Sequence, residues 1–178
     1  MLGIIIIATL LLLIAVLSVS FFYSVFMGYA VYFSSGEKII DRIISEIELR
    51  DGVTVYELGS GHALFLRKVE SHFPNVKKLV GVEYFLYPYL VSVFILGIFG
   101  SKAKILKKNM FLADLTDADL IYCFLNVKSM VKLKDKFLRE CKPGTQIVSY
   151  QFTMPGITPK KAIDVYGDKK DRIYFYQI

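Results

Sequence analysis

Two acids and two glycines carry the chemistry in this sequence. Glu57-Leu58-Gly59-Ser60-Gly61 closes an apolar run that starts at Val53, and Glu83 closes a second run, Leu79–Val82. Glycines at 59 and 61 let a backbone approach a bound group closely. A carboxylate at the end of the second run can accept from both hydroxyls of a ribose, while Glu57 either receives a cationic amine or orders the turn. The dinucleotide spacing G-x-G-x-x-G needs a third glycine at position 64, which is leucine, so NAD is disfavoured. No lysine follows as a P-loop requires, which disfavours ATP. The alternative is that Gly-Ser-Gly is only a tight strand–helix connection. A second acid at the corresponding place in the next run counts against it.

The elements that must position these residues alternate. Ile39, Ile40, Ile43, Ile44 and Ile47 recur at helical spacing after Ser35, a candidate N-cap. VTVYEL then reads as a buried strand, HALFLRKVESHF as a helix and KKLVGVEY as a strand. FLYPYLVSVFILGIFG is expected to be helical after Pro88. KAKILKKN and DLIYCFLN follow as strands, VKSMVKLKDKFLREC as a helix and TQIVSYQF as a strand. AIDVYG and RIYFYQI make a closing hairpin. The order predicts an α/β fold: a Rossmann-like, seven-stranded, mostly parallel sheet with a C-terminal antiparallel hairpin. Ligands of such sheets bind beyond the carboxyl ends of the strands, where Glu57–Gly61 lies.

Composition adds an appendage. The 178 residues are 54% hydrophobic, and no charged side chain occurs before Glu37. A transmembrane helix needs roughly 20 apolar residues, so residues 1–33 are expected to form a single-pass N-terminal membrane helix, followed by one domain at 34–178. A cleaved signal would want a basic start and a shorter apolar core; a buried globular helix is the other alternative. Lys38 and Arg42 follow the apolar stretch, so the positive-inside rule predicts a membrane protein with the domain cytoplasmic. The net charge of +6 includes a cluster at Lys102, Lys104, Lys107 and Lys108, too short for a nucleic-acid arm. It suits a solvated surface or anionic lipid. Cys123, Cys141, His62 and His72 do not form a metal-spaced set, so no metal is expected.

In this order, the motifs resemble the class I S-adenosylmethionine-dependent methyltransferases. ELGSG is similar to their first motif, GVEY to their ribose-binding acid, KKNMF to their adenine-contacting segment and DLIYCFLN to their fourth motif. Within that superfamily, the chain resembles the small membrane-anchored protein-lysine methyltransferases acting on adenine nucleotide translocase and on the ATP synthase c-subunit, with their prokaryotic relatives. The resemblance implies a methyltransferase domain at 34–178 with S-adenosyl-L-methionine as cofactor, held by Ser35, Glu57, Gly59, Ser60, Gly61, Glu83, Tyr84, Asn109 and Met110. The Asn109 side-chain oxygen would take the adenine amino group, and the Met110 N–H a ring nitrogen. Tyr32 and Ser35 would close over the cofactor or the substrate lysine. His62-Ala63 stands where the family has Asp-Gly, Asn109-Met110-Phe111 where it has Asp-Leu-Trp, and the family's prolines near Tyr32 are missing.

The implied reaction is in-line methyl transfer to a lysine ε-amine of a protein, membrane-embedded or membrane-associated. A desolvated aromatic channel keeps the amine neutral. Tyr32, Phe111 and Phe152 are its candidate walls, or ordinary core. Asn126 either orients the amine or caps a helix. The uncharged run Tyr84–Ser101 suggests a lipid-facing helix, or one buried under neighbours. Methylation of a lipid or small amphiphile, and a membrane-anchored non-catalytic protein of this fold, remain as alternatives.

Overall fold

The computed structural model describes residues 1–26, 35–167 and 171–178, leaving aside the side chains of 17 and 20–26. The chain divides into two units, Met1–Val31 and Tyr32–Ile178. The first contains helix α1, Leu2–Phe26.

Among the described residues, no helix is long and apolar enough to cross a membrane. This overturns the expected transmembrane helix and the single-pass localisation drawn from it.

In the second unit, α2 (Glu37–Glu46) buries Ile39, Ile40, Ile43 and Ile44 on one face. Its N-cap is Gly36 rather than Ser35, with no side-chain cap bond, so the expected serine cap is corrected. The Ser35 hydroxyl meets Tyr122 instead. Strand β1 (Thr54–Leu58) is buried throughout and leads through the glycine turn into α3 (Leu64–His72). Next come β2 (Lys78–Glu83) and α4 (Leu86–Ile98). Pro88 falls in the first turn of α4, where its missing N–H has no intrahelical partner to lose. The helix therefore begins before the proline, not after it.

Strand β3 (Lys104–Lys107), a short 3-10 turn at Met110–Leu112, and β4 (Leu120–Cys123) precede α5 (Val127–Glu140). α5 buries Met130, Leu133 and Phe137 at helical spacing. β5 (Gln146–Tyr150), β6 (Lys161–Asp164) and β7 (Arg172–Gln177) finish the sheet. Its seven strands run in the order β3-β2-β1-β4-β5-β7-β6. The first five pair in parallel. β7 is antiparallel to both β5 and β6, so the last strand inserts inside the sheet and β6 takes the edge. Two successive strands, β1 and β2, lie side by side, and β4 then returns to the other flank of β1. That reversal opens a crevice at the carboxyl end of β1.

Candidate active site

The crevice is shaped by backbone. The N–H groups of Gly59 and Ser60 both donate to Val82 O, at 2.8 and 3.2 Å, tying the turn to β2. Gly59 and Gly61 have φ of 73° and 49°, the left-handed region that favours glycine. Ala63 shares that conformation, at φ 55°, and its N–H donates to Ser60 O at 2.6 Å. An L-residue there costs about 1–2 kcal/mol, which is the physical reason a glycine at this position would be more comfortable.

The two acids are held differently. The Glu83 carboxylate accepts from Gly61 N at 3.1 Å and from Phe85 N at 2.9 Å, so it splices β2 to the turn and to the start of α4. Burial raises its pKa, against the backbone N–H bonds that lower it. Glu57 is buried as well, and desolvation pushes its carboxyl well above the usual range. The Leu66 N–H in the first turn of α3 pulls the other way, and neighbouring Glu83 adds to the rise. Glu57 Oε2 has no hydrogen-bond partner among the described residues. A buried carboxylate oxygen left so is costly, and a cationic ligand group is the chemistry that satisfies it.

Glu57 lines a cavity together with Ser35, Gly59, Ser60, Gly61, His62, Tyr122 and Phe124. Five of the expected cofactor residues therefore meet: Ser35, Glu57, Gly59, Ser60 and Gly61. Glu83 reaches the cavity through its bond to Gly61. Tyr84 is 48% exposed and packs edge-on against Phe85. Asn109 follows the Lys108 N–H bond to Glu83 O, and its Oδ1 accepts from Phe111 N at 3.0 Å. Met110 starts the 3-10 turn that this bond caps.

Of the expected catalytic residues, Tyr32 lies outside the described residues. Phe111 packs under the Lys132 ammonium, 5.5 Å from the ring centre, and does not line the cavity. Asn126 Oδ1 accepts from Ser129 N at 2.8 Å, the helix-capping alternative. Phe152 approaches the cavity through a neighbour: its ring stacks on Phe124 at 6.4 Å, and Phe124 packs on Tyr150 at 4.7 Å.

Sequence reasoning missed Tyr122 and Phe124. Both lie within or just after β4, and alternation along DLIYCFLN puts Tyr122 and Phe124 on one face; that was the available signal. The turn and its orphaned acid fit a cofactor with a cationic end. Gly59 in particular has no room to spare, since a Cβ there would come 3.2 Å from Leu125 Cδ2.

Comparison with known proteins adds to this geometry. The model of the ANTKMT methyltransferase domain matches residues 57–161, from the first acid to β6. A protein-lysine N-methyltransferase of Saccharolobus islandicus (strain REY15A) is 32% identical over 157 residues, covering 86% of this chain and 96% of that protein. Among solved structures, an RNA methyltransferase from Salinibacter ruber in complex with S-adenosyl-L-homocysteine superposes with a TM-score of 0.76. It has 21% identity, over 82% of this chain and 94% of that one. A ribosomal protein L11 methylase from Lactobacillus delbrueckii subsp. bulgaricus gives a TM-score of 0.61 at 11% identity, over 77% and 75%. At these identities the two structures speak for the fold alone.

Proposed function

The chain belongs to the ANTKMT methyltransferase family, and from that premise we propose that it methylates lysine side chains of protein substrates. It is an S-adenosylmethionine-dependent methyltransferase. The cofactor, when bound, supplies an electrophilic methyl group on a sulfonium. Glu57 Oε2 would take the ammonium of its amino-acid end, Glu83 its ribose hydroxyls, and Asn109 and Met110 its adenine. The chain's own work is positioning and exclusion of water, and holding reactants in line can contribute roughly 7–11 kcal/mol. An apolar, aromatic approach favours the neutral, nucleophilic form of an amine by denying the ammonium its hydration. Phe124, backed by Phe152 and Tyr150, supports that role beside the cavity, with Asn126, just past β4, as a further candidate.

The observation that carries the reading is the pairing of an orphaned, buried carboxylate oxygen with an aromatic wall in one cavity. The test is incubation of the protein with methyl-labelled cofactor and a native extract, followed by mass spectrometry of protein and lipid fractions. Label on lysines of proteins is expected. Label confined to lipid would replace this reading with amphiphile methylation. A folded protein that binds no S-adenosylhomocysteine would be a non-catalytic relative.

The substrate is further proposed to be membrane-associated, on the strength of α4. Leu86, Tyr87, Leu90, Phe94 and Ile98 are all more than half exposed along one helix. The stretch Tyr84–Leu112 contains no acid but carries Lys102, Lys104, Lys107 and Lys108. An exposed apolar helix followed by a lysine cluster suits an anionic bilayer surface. A solvatochromic label on Phe94→Cys reads this directly, because Cys123 and Cys141 are buried. A blue shift is expected with vesicles containing anionic lipid; the same spectrum with and without such vesicles would refute it.

A further inference from the structure

Among the described residues, Tyr122 is the largest fully buried side chain. It sits on β4 directly beside Glu57 of β1 in the strand register. Its ring leans on Phe65 of α3 at 4.5 Å, and its hydroxyl meets Ser35 Oγ at 2.5 Å. This bond joins residues 87 positions apart. Ser35 is not needed by the helix it precedes, since α2 is capped by Gly36 without any side-chain bond. Its hydroxyl is turned toward the cavity side, where both partners line the wall.

The strand order says which end of a ligand this pair serves. β1 has β2 on one flank and β4 on the other. Glu83, the acid suited to a ribose, lies on the β2 flank. Tyr122 and Phe124 lie on the β4 flank, on the far side of Glu57 from Glu83. A nucleoside bound over β2 therefore sends its other end toward the Tyr122–Ser35 pair.

We propose that Tyr122 is a positioning residue: through its hydroxyl it fixes Ser35 against the amino-acid end of the cofactor. The proposal rests on the cofactor reading of this cavity. Burial raises the phenol's pKa, so the hydroxyl stays protonated through the working range and the pair stays neutral. A neutral hydroxyl pair next to the Glu57 carboxylate gives the zwitterionic amino-acid end polar contacts without a second fixed charge. Phenylalanine fills the same volume as tyrosine, so Tyr122→Phe deletes the bond and leaves the Phe65 contact.

The experiment is calorimetric binding of two ligands, S-adenosylhomocysteine and 5′-methylthioadenosine, which lacks the amino-acid end. Wild-type protein should prefer the first. Tyr122→Phe should weaken S-adenosylhomocysteine about 3- to 10-fold, the worth of one hydrogen bond, and leave methylthioadenosine unchanged. Ser35→Ala should do the same, and the double variant should be no weaker than either single one. Equal weakening of both ligands would reduce Tyr122 to a packing residue, and additive single effects would break the link to Ser35. An unchanged preference in Tyr122→Phe would overturn the proposal alone. If folded wild-type protein bound neither ligand, the cofactor reading itself would fall, and this inference with it.

Discussion

Gly81→Ala tests how β2 and the cofactor turn are fitted together. Gly81 lies in the middle of β2, with ordinary extended backbone, so the substitution carries no conformational penalty of its own. Taken alone, replacing a strand glycine by alanine gains roughly 0.5–1 kcal/mol. Sterically, the outcome is different. A Cβ at 81 would lie 2.4 Å from Ile105 Cδ1, 2.7 Å from Ser60 Oγ and 2.8 Å from Ser60 Cβ. The isoleucine methyl is the end of a flexible side chain and can swing aside. Ser60 cannot, because its N–H and that of Gly59 are bonded to Val82, the residue next to the substitution. Overpacking of this kind costs about 1–3 kcal/mol. With three contacts under 3.0 Å the upper end applies, so the net loss is about 2 kcal/mol, or roughly 4–8 °C in Tm for a chain of this size. The displaced Ser60 also moves the turn. Affinity for S-adenosylhomocysteine should fall roughly tenfold, equivalent to ~1.4 kcal/mol. Urea denaturation and calorimetry measure the two effects. Adding Ser60→Gly removes the rigid obstacle and should restore most of the stability. A single variant as stable as wild type, or a double variant no better than the single, would refute this reasoning.

Glu83→Ala should remove both the ribose acceptor and the bonds to Gly61 and Phe85, abolishing measurable cofactor binding; affinity like that of wild type would misplace the cofactor. In cofactor-free protein, Glu57 and Glu83 have folded-state pKa values raised above the ordinary 4.5. The folded state thus keeps protons that the unfolded chain releases. The stability these two groups contribute should be fullest below pH 4.5 and fall as pH rises through the folded values, by at most ~1.4 kcal/mol per unit per group. Glu57→Gln should flatten the curve, and a rise in stability with pH across that window would contradict it. Asn126→Ala should cost about 1 kcal/mol through loss of the α5 cap, with Asn126→Asp restoring it; if turnover stays lost in the capped variant, Asn126 touches substrate. Burial raises the thiols of Cys123 and Cys141 to about 12 and about 11. Native protein at neutral pH should therefore react with iodoacetamide only after unfolding, as mass shifts would report.

Much of the sheet was legible because buried parallel strands leave unbroken apolar runs, as at Leu79–Val82 and Leu120–Cys123. The glycine turn and its two acids were legible because a cradle needs particular residue types close together in sequence. What the sequence hid were relations across distance. Nothing local announces that Ser35 bonds a tyrosine on β4, or that Gly81 is small to make room for Ser60. Asn109 and Asn126 were legible as polar residues at element ends, yet each uses its side-chain oxygen on the backbone two or three residues on, chemistry that short polar side chains always offer. The membrane reading of residues 1–33 rested on hydropathy alone, and among the described residues no helix is long and apolar enough to cross a membrane.

The left-handed Ala63 has a bearing on kinetics. Its strain is borne once, when the chain folds, by the Ser60 and Val82 hydrogen bonds that lock the turn. An arriving nucleoside should therefore meet a glycine turn that is already ordered. Association at this site should be limited by encounter, with selectivity among related nucleosides expressed in how slowly each one leaves.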